Sequence, residues 1–200
     1  MKVAIVHYHL EPGGVTKVIE NTLLAWEKSA LPIQAVALSG RPYQGKVIPH
    51  TQVVDGLDYA TPKASIAPDI LAQRLKDAAK ESLGSSPDLW HIHNHSLGKN
   101  PALTAAVRLL AEQGEYLLLH PHDFAEDGRP QNFLSLSEVY GHSYPTSERI
   151  RYAVLNHRDK SFLQKLTQNS ESEVHLLANA IPFEEAPRPS APTNSTLPEN

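Results

Sequence analysis

Histidine side chains form three closely spaced groups along the chain. The sequence contains 11 histidines, and seven of them lie two residues apart within these groups: His7 and His9; His91, His93 and His95; His120 and His122. An imidazole can transfer a proton, exchange hydrogen bonds or bind a metal ion near neutral pH. Residues two apart on a β-strand point to the same face, so each group could present its rings together. The alternative is that some of them are core histidines bonded to the backbone.

Two further segments could bind an anion or a hydroxyl. Gly13 and Gly14 precede a helical pattern, where glycines allow positive φ and the free N–H groups of a helix start attract phosphate. The alternative is a plain tight turn, and neither G-x-G-x-x-G nor a P-loop occurs. The segment 126–130 follows the third histidine group and has turn composition. It could place Arg129 near a phosphate and Asp123 or Asp127 on an acceptor hydroxyl, or it is a solvated surface turn.

The elements that must position these residues alternate between apolar runs of strand length and segments of helical period. We predict strands at 2–8, 33–38, 47–54, 89–93, 116–119, 152–155 and 174–177. Helices are predicted after Gly14, from Pro68 to Gly84, from Pro101 to Gln113 and from Lys160 to Leu166. This pattern predicts an α/β fold, a doubly wound, mostly parallel Rossmann-like sheet with helices on both faces and strand 2–8 at its centre. Ligands of such sheets bind at the carboxyl ends of the strands, where all three histidine groups would lie.

Composition limits the partners. The net charge is -4 and the pI about 6.2, which gives no overall field to attract nucleic acid. There is no cysteine, so disulfides and thiolate metal sites are excluded. We expect a cytoplasmic location, since no signal peptide or membrane-spanning run is found.

One locally basic run could contact an anionic membrane or a lipid-linked acceptor peripherally, and the alternative is a solvated face. The run consists of Arg149, Arg151, His157, Arg158, Lys160 and Lys165. Residues 184–200 are rich in proline and predict a linker or disordered tail after a domain at 1–183.

Several segments together resemble the N-terminal lobe of glycosyltransferase family 4, a family of two-lobed (GT-B) retaining enzymes. The resemblance extends from the start of the chain to about Phe183 and is carried by KVAIVHYHLEPGGVTKVIENTL, PDLWHIHNHS, LLLHPHDF, YAVLNHRDKSFLQKL and VHLLANAIPF. The order and spacing of these segments carry the resemblance. Asn179-Ala180 departs from the Asn-Gly that the family usually has before its hinge.

The resemblance implies sugar transfer from a nucleotide-sugar donor to an acceptor that is a saccharide, a lipid-linked sugar or a small molecule. Gly13, Gly14 and Val15, with Arg129, would then bind the donor phosphates. The catalytic candidates are His122, which would meet the donor sugar, His120 as the competing assignment, and Asp123. The implied acceptor-binding residues are His9, His93, Asn94, His95 and Asp127. The second lobe of the family carries two glutamates that grip the donor, and no glutamate pair of that spacing occurs here, so we expect this chain alone to fold but to be catalytically incomplete.

Two other interpretations stay open. The chain could be a non-catalytic Rossmann-like module that binds a phosphorylated ligand or a partner protein. It could instead be a histidine-ligated metal hydrolase, but carboxylate-flanked motifs such as H-E-x-x-H are missing. We therefore expect neither a tetrahedral metal site nor a cofactor.

Overall fold

A computed structural model describes residues 1–61, 66–168 and 172–179. The strands are β1 (Lys2–Val6), β2 (Gln34–Ser39), β3 (Thr51–Val53), β4 (Leu89–His93), β5 (Leu117–His120), β6 (Ile150–Val154) and β7 (Glu173–Leu176). The helices are α1 (Gly14–Lys28), α2 (Pro68–Leu83), α3 (Pro101–Glu112), α4 (Pro130–Ser135) and α5 (His157–Leu166), and a 3-10 helix covers Tyr140–His142. Ala180, the predicted domain end at 183 and the predicted linker 184–200 lie outside the described residues.

The strands form one parallel sheet. Their order is β3-β2-β1-β4-β5-β6-β7, and every neighbouring pair is parallel. The predicted Rossmann-like sheet is therefore confirmed, with β1 inside the sheet between β2 and β4. Successive strands run outward from β1 in one direction as far as β3, and the chain then crosses back to β4 on the other side of β1. This reversal opens a crevice at the carboxyl ends of β1 and β4, which is where open α/β sheets bind ligands.

Alternation along the strands divides the core between the two faces of the sheet. Trp90 and Ile92 of β4 pack with Leu103 of α3 in the larger core. On the other face, Val3 and Ile5 of β1 pack with Ile19 of α1 in a smaller core. Helices therefore cover both faces, as a doubly wound sheet requires. None of the helices among the described residues combines the length and the hydropathy needed to cross a bilayer.

Two predicted strands are shorter in the structure. The third was predicted at 47–54, but β3 spans only Thr51–Val53 at the edge of the sheet. Pro49 has no N–H to give to the ladder and so delays its start. β1 ends at Val6 instead of Tyr8, although the N–H of His7 still donates to Leu38 O at 3.1 Å. The sequence analysis also missed α4 and the 3-10 helix, which follow the predicted turn at 126–130.

Asn100 joins the start of α3 to the loop after β3. Its Oδ1 accepts from Leu103 N at 3.2 Å and caps the helix. Its Nδ2 donates to the carbonyl oxygens of Gly56 at 2.8 Å and Asp58 at 2.7 Å. The side chain is buried, so a truncation would leave these carbonyl groups without their partner and without water.

We expect Asn100→Ala to lower the free energy of unfolding by about 2–4 kcal/mol, because it removes a helix cap and leaves buried carbonyl groups unsatisfied. Asn156 is the matched control, since its Oδ1 caps α5 by accepting from Asp159 N at 2.9 Å at an exposed site. Asn156→Ala should cost only about 1 kcal/mol. Urea unfolding followed by circular dichroism measures both. Equal losses would show that the bonds from Nδ2 do not stabilise the fold.

Candidate functional site

Six of the seven grouped histidines converge on one face at the carboxyl ends of β1, β4 and β5. The members of this histidine cluster are His7, His9, His91, His93, His120 and His122. Two hydrogen bonds cross from β4 to the β5 side: His91 Nε2 to His120 Nδ1 at 3.2 Å, and His93 Nδ1 to His122 Nε2 at 2.9 Å. The ring centroids of His120 and His122 are 4.2 Å apart, and those of His7 and His93 are 6.3 Å apart.

Strand register explains the convergence. Ile5 of β1 lies beside His91 of β4, and His93 lies beside His120 of β5. Because side chains alternate between faces, these histidines share the face of Ile5 and lie opposite Trp90 and Ile92. The spacing of two, repeated on three neighbouring strands, thus builds a compact group of rings.

His95 leaves this group, although the sequence analysis placed it with His93. β4 ends at His93, and Asn94 then adopts a left-handed conformation with φ 54°. The chain turns, the alternation of faces stops, and the His95 ring reaches Ser143 O at 2.8 Å beside Tyr144. His95 is fully buried there, so its predicted acceptor-binding role has no support from its position and stays a prediction.

Asn94 fixes the segment that carries His122. Its Oδ1 accepts from the backbone N–H groups of His122 at 2.7 Å and Asp123 at 3.3 Å. The backbone carbonyl oxygen of Asn94 accepts from the Tyr8 hydroxyl at 2.5 Å. The Asn94 side chain is buried, and its Oδ1 is bonded within the fold. The contacts of Asn94 position the end of β5, and its acceptor-binding role stays a prediction.

Burial keeps five rings of the cluster uncharged. Desolvation, with a smaller contribution from neighbouring histidines, lowers the pKa of His7 and His91 to about 3 and that of His120 to about 2. The pKa of His93 is also well below its usual value for the same reasons. Desolvation lowers the pKa of His122 to about 4, although the Asp123 carboxylate acts in the opposite direction. These imidazoles are therefore neutral at pH 7 and each offers one N–H and one lone pair.

The Gly13-Gly14 loop lies at the start of α1 and leaves the helix without a side-chain cap. Gly13 has φ 177°, which is extended backbone, and Gly14 is not among the glycines with positive φ. Neither glycine therefore uses the positive φ that glycine permits. A Cβ atom on Gly14 would meet nothing within 4 Å, and one on Gly13 would meet only Glu11 O at 3.8 Å. Within the described residues, the fold itself does not require glycine at either position.

The charged residues predicted around the site are paired with each other. Arg129 Nη2 donates to Asp123 Oδ1 at 2.7 Å, and Arg158 binds both carboxylate oxygens of Asp127 at 3.0 Å. The Arg158 guanidinium holds the pKa of Asp127 below its usual value. Asp127 and the half-buried His9 reach the surface, whereas His93 is buried.

The peripheral membrane contact predicted for the basic run stays a prediction. Within that run, Arg151 Nε lies 3.6 Å from Glu173 Oε2.

Sequence reasoning missed an ionic network beside His9. The Arg41 guanidinium bridges the carboxylates of Glu11 and Asp58. Tyr59 packs against the His9 ring with centroids 4.9 Å apart. The partners of Arg41 are 30 and 17 residues away along the chain, so no local motif could have revealed the network.

The chain is similar to one curated protein of known activity. No family model matches it. It is 28% identical over 201 residues to a mannosylglucosyl-3-phosphoglycerate synthase of Petrotoga mobilis, in an alignment covering 90% of this chain and 37% of that protein. The chain thus spans little more than a third of the relative's length. The relative is a glycosyltransferase, and the similarity supports a role in glycosyl transfer at that coarse level.

We expect Asn94→Gly to speed hydrogen exchange at the amides of His122 and Asp123 by about tenfold or more, because it removes the oxygen that both amides bind. Glycine is chosen because it accepts the positive φ of this position without strain. Asn94→Asp keeps an oxygen acceptor in the same place and serves as the control. Exchange measured by NMR in both variants is decisive: unchanged protection of the two amides in Asn94→Gly would contradict the positioning role.

Proposed function

We propose that this chain forms the N-terminal, acceptor-side lobe of a retaining GT-B glycosyltransferase that resembles family 4 and uses a nucleotide-sugar donor. The observation that carries this proposal is the placement of two features at the same carboxyl edge of the sheet. The uncapped start of α1 follows β1, and His122 follows β5, with β4 between them. The similarity to the Petrotoga synthase supports the same class of reaction.

The donor diphosphate would bind at the start of α1. The first-turn amides of a helix bear partial positive charge and attract phosphate oxygens. Gly13 and Gly14 leave the space beside these amides open, and the half-buried Val15 would support the turn. Because the fold does not require glycine there, close approach of a ligand is a sufficient reason for two glycines. Arg129 would contribute only after exchanging Asp123 for a phosphate.

His122 would act on the donor sugar, and His120 would not touch it. His122 is partly exposed, whereas His120 is 1% exposed and lies beneath it. A neutral imidazole at this position donates or accepts a hydrogen bond without placing a cation beside the positive charge that develops on the sugar. Its contribution would come from orientation and electrostatic stabilisation fixed in advance by His93 and Asn94.

The acceptor would approach from the side of His9, Asp123 and Asp127. Of these residues, His9 is half-buried, Asp127 is exposed and the Asp123 side chain is 42% exposed. A carboxylate could bind the attacking hydroxyl, and a saccharide, a lipid-linked sugar or a small molecule could supply it. The relative's name includes a phosphorylated glycerate, which makes a small anionic acceptor the first to test.

Turnover would require more protein than this lobe. In a two-lobed transferase the donor is held between facing strand ends, and the aligned region is 37% of the relative. We propose that a second lobe supplies the glutamates that grip the donor. The lobe described here would bind the donor weakly, with a Kd on the order of millimolar. A non-catalytic module that binds a phosphorylated ligand is the second candidate, since the uncapped start of α1 would serve it equally well.

We expect Gly14→Ala to leave the thermal stability within about 2 °C of the original but to weaken nucleoside diphosphate binding by about tenfold or more. The added methyl meets open space in the free fold and would collide with a phosphate beside the helix start. Gly141→Ala is the matched control, since its Cβ also meets nothing within 4 Å and it lies in the 3-10 helix, outside the site. Calorimetric titration with a nucleoside diphosphate measures the affinity. Equal affinities for both variants would place the diphosphate elsewhere.

In the full-length enzyme we expect His122→Ala to lower kcat by about 10²–10³-fold, as loss of a preorganised hydrogen-bonding group does, with a small change in Tm. The control is His50→Ala, since His50 is exposed and lies outside the cluster. It should leave both the rate and Tm nearly unchanged. Steady-state kinetics and thermal denaturation on both variants separate the effects, and a full rate with His122→Ala would remove His122 from the catalytic site.

A further inference from the structure

The buried part of the histidine cluster has features that sugar transfer does not explain. His91, His93 and His120 are each 3% exposed or less, too deep to contact a substrate. Each offers a ring nitrogen, and these three nitrogens lie within 4.8 Å of one another. We propose that His91, His93 and His120 form a binding site for a divalent transition-metal ion of the zinc class. No such site was expected from the sequence, because carboxylate-flanked motifs such as H-E-x-x-H are missing.

The spacing of the nitrogens fits coordination. Zinc binds imidazole nitrogens at about 2.0–2.1 Å, which places two ligands of a tetrahedral ion about 3.3 Å apart. His91 Nε2 and His120 Nδ1 are already 3.2 Å apart. On ligation by both, two coordinate bonds would replace the hydrogen bond between them. The three nitrogens lie within 4.8 Å of one another, so the farthest pair must close by at most about 1.5 Å to reach tetrahedral spacing, and the fourth position would hold a water molecule.

An unsatisfied nitrogen points to a missing partner at this place. His93 Nε2 is buried and has no hydrogen-bond partner among the described residues. A buried polar atom without a partner costs about 1–3 kcal/mol. An ion that accepts the lone pair of His93 Nε2 removes this cost.

The donor set selects the kind of ion. Three neutral imidazoles suit Zn²⁺, Co²⁺, Ni²⁺ or Cu²⁺, whereas Mg²⁺ and Ca²⁺ prefer carboxylate and carbonyl oxygens. None of the three ligands is a carboxylate, so the site would keep the charge of the ion. That charge would favour a bound water or an anion at the fourth position.

The ion would also orient His122. If His93 binds through its unpartnered Nε2, its Nδ1 must carry the proton and donate it to His122 Nε2, 2.9 Å away. Metal-bound histidines usually fix their other ring nitrogen in this way. The site would therefore act as a positioning element beneath the exposed histidine. Metal binding itself stands independently of sugar transfer, since it needs only the three rings.

The test begins with chain treated with a chelator and dialysed. Titration with Co²⁺ should give the visible absorption of a tetrahedral nitrogen site at one equivalent, and Zn²⁺ should displace it. Zn²⁺ in excess should raise Tm by about 5 °C through binding to the folded state, and Mg²⁺ should not. Less than about 0.2 equivalents of tightly bound Co²⁺ or Zn²⁺ in the unsubstituted chain would overturn the proposal without reference to any variant.

Substitutions then locate the ion. His91→Gln, His93→Gln and His120→Gln should each weaken Zn²⁺ binding at least tenfold in variants whose circular dichroism is unchanged. His50→Gln is the matched control, since His50 is exposed and lies outside the cluster. Equal weakening by His50→Gln, or none by the three cluster substitutions, would show that the ion binds to surface histidines and that the proposal is wrong.

Discussion

The hydrogen bonds from Asn94 Oδ1 to the backbone of His122 and Asp123 tie the end of β4 to the end of β5. Parallel strands pair only along their length, and their carboxyl ends need another tie before loops can be placed accurately. Asn94 supplies this tie and ends the alternation along β4 through its positive φ. The positions of His122, Asp123 and His95 all follow from this one residue.

A second constraint is the burial of several imidazoles on one face. Desolvation favours their uncharged forms and lowers their pKa values, so the cluster supplies lone pairs and N–H donors without charge. The charged side chains around these histidines pair with one another: Arg129 with Asp123, and Arg41 with Glu11 and Asp58. In the proposed function, the neutral sugar of the donor would lie over these histidines.

Much of the fold could be predicted from the sequence because apolar periodicity is a local signal. All seven strands were predicted, and their parallel arrangement was predicted from the alternation of strands and helices. The failures involve information that is not local. His95 was misplaced because the strand ends at His93 and the chain turns at Asn94, and the Arg41 network joins distant segments. The unpartnered nitrogens of His93 and His120 appear only once register brings two strands together.

The most direct test of the proposed lobe is an NMR titration of the isotopically labelled chain with a nucleotide sugar at millimolar concentration. The proposal predicts that the largest shifts fall on the amides of Gly14, Val15 and Thr16, and that the ring of His122 shifts when the sugar is present but not with the nucleoside diphosphate alone. Saturable shifts confined to another surface, or no shifts at these amides at saturating donor, would contradict the assignment of this sheet edge as a donor site.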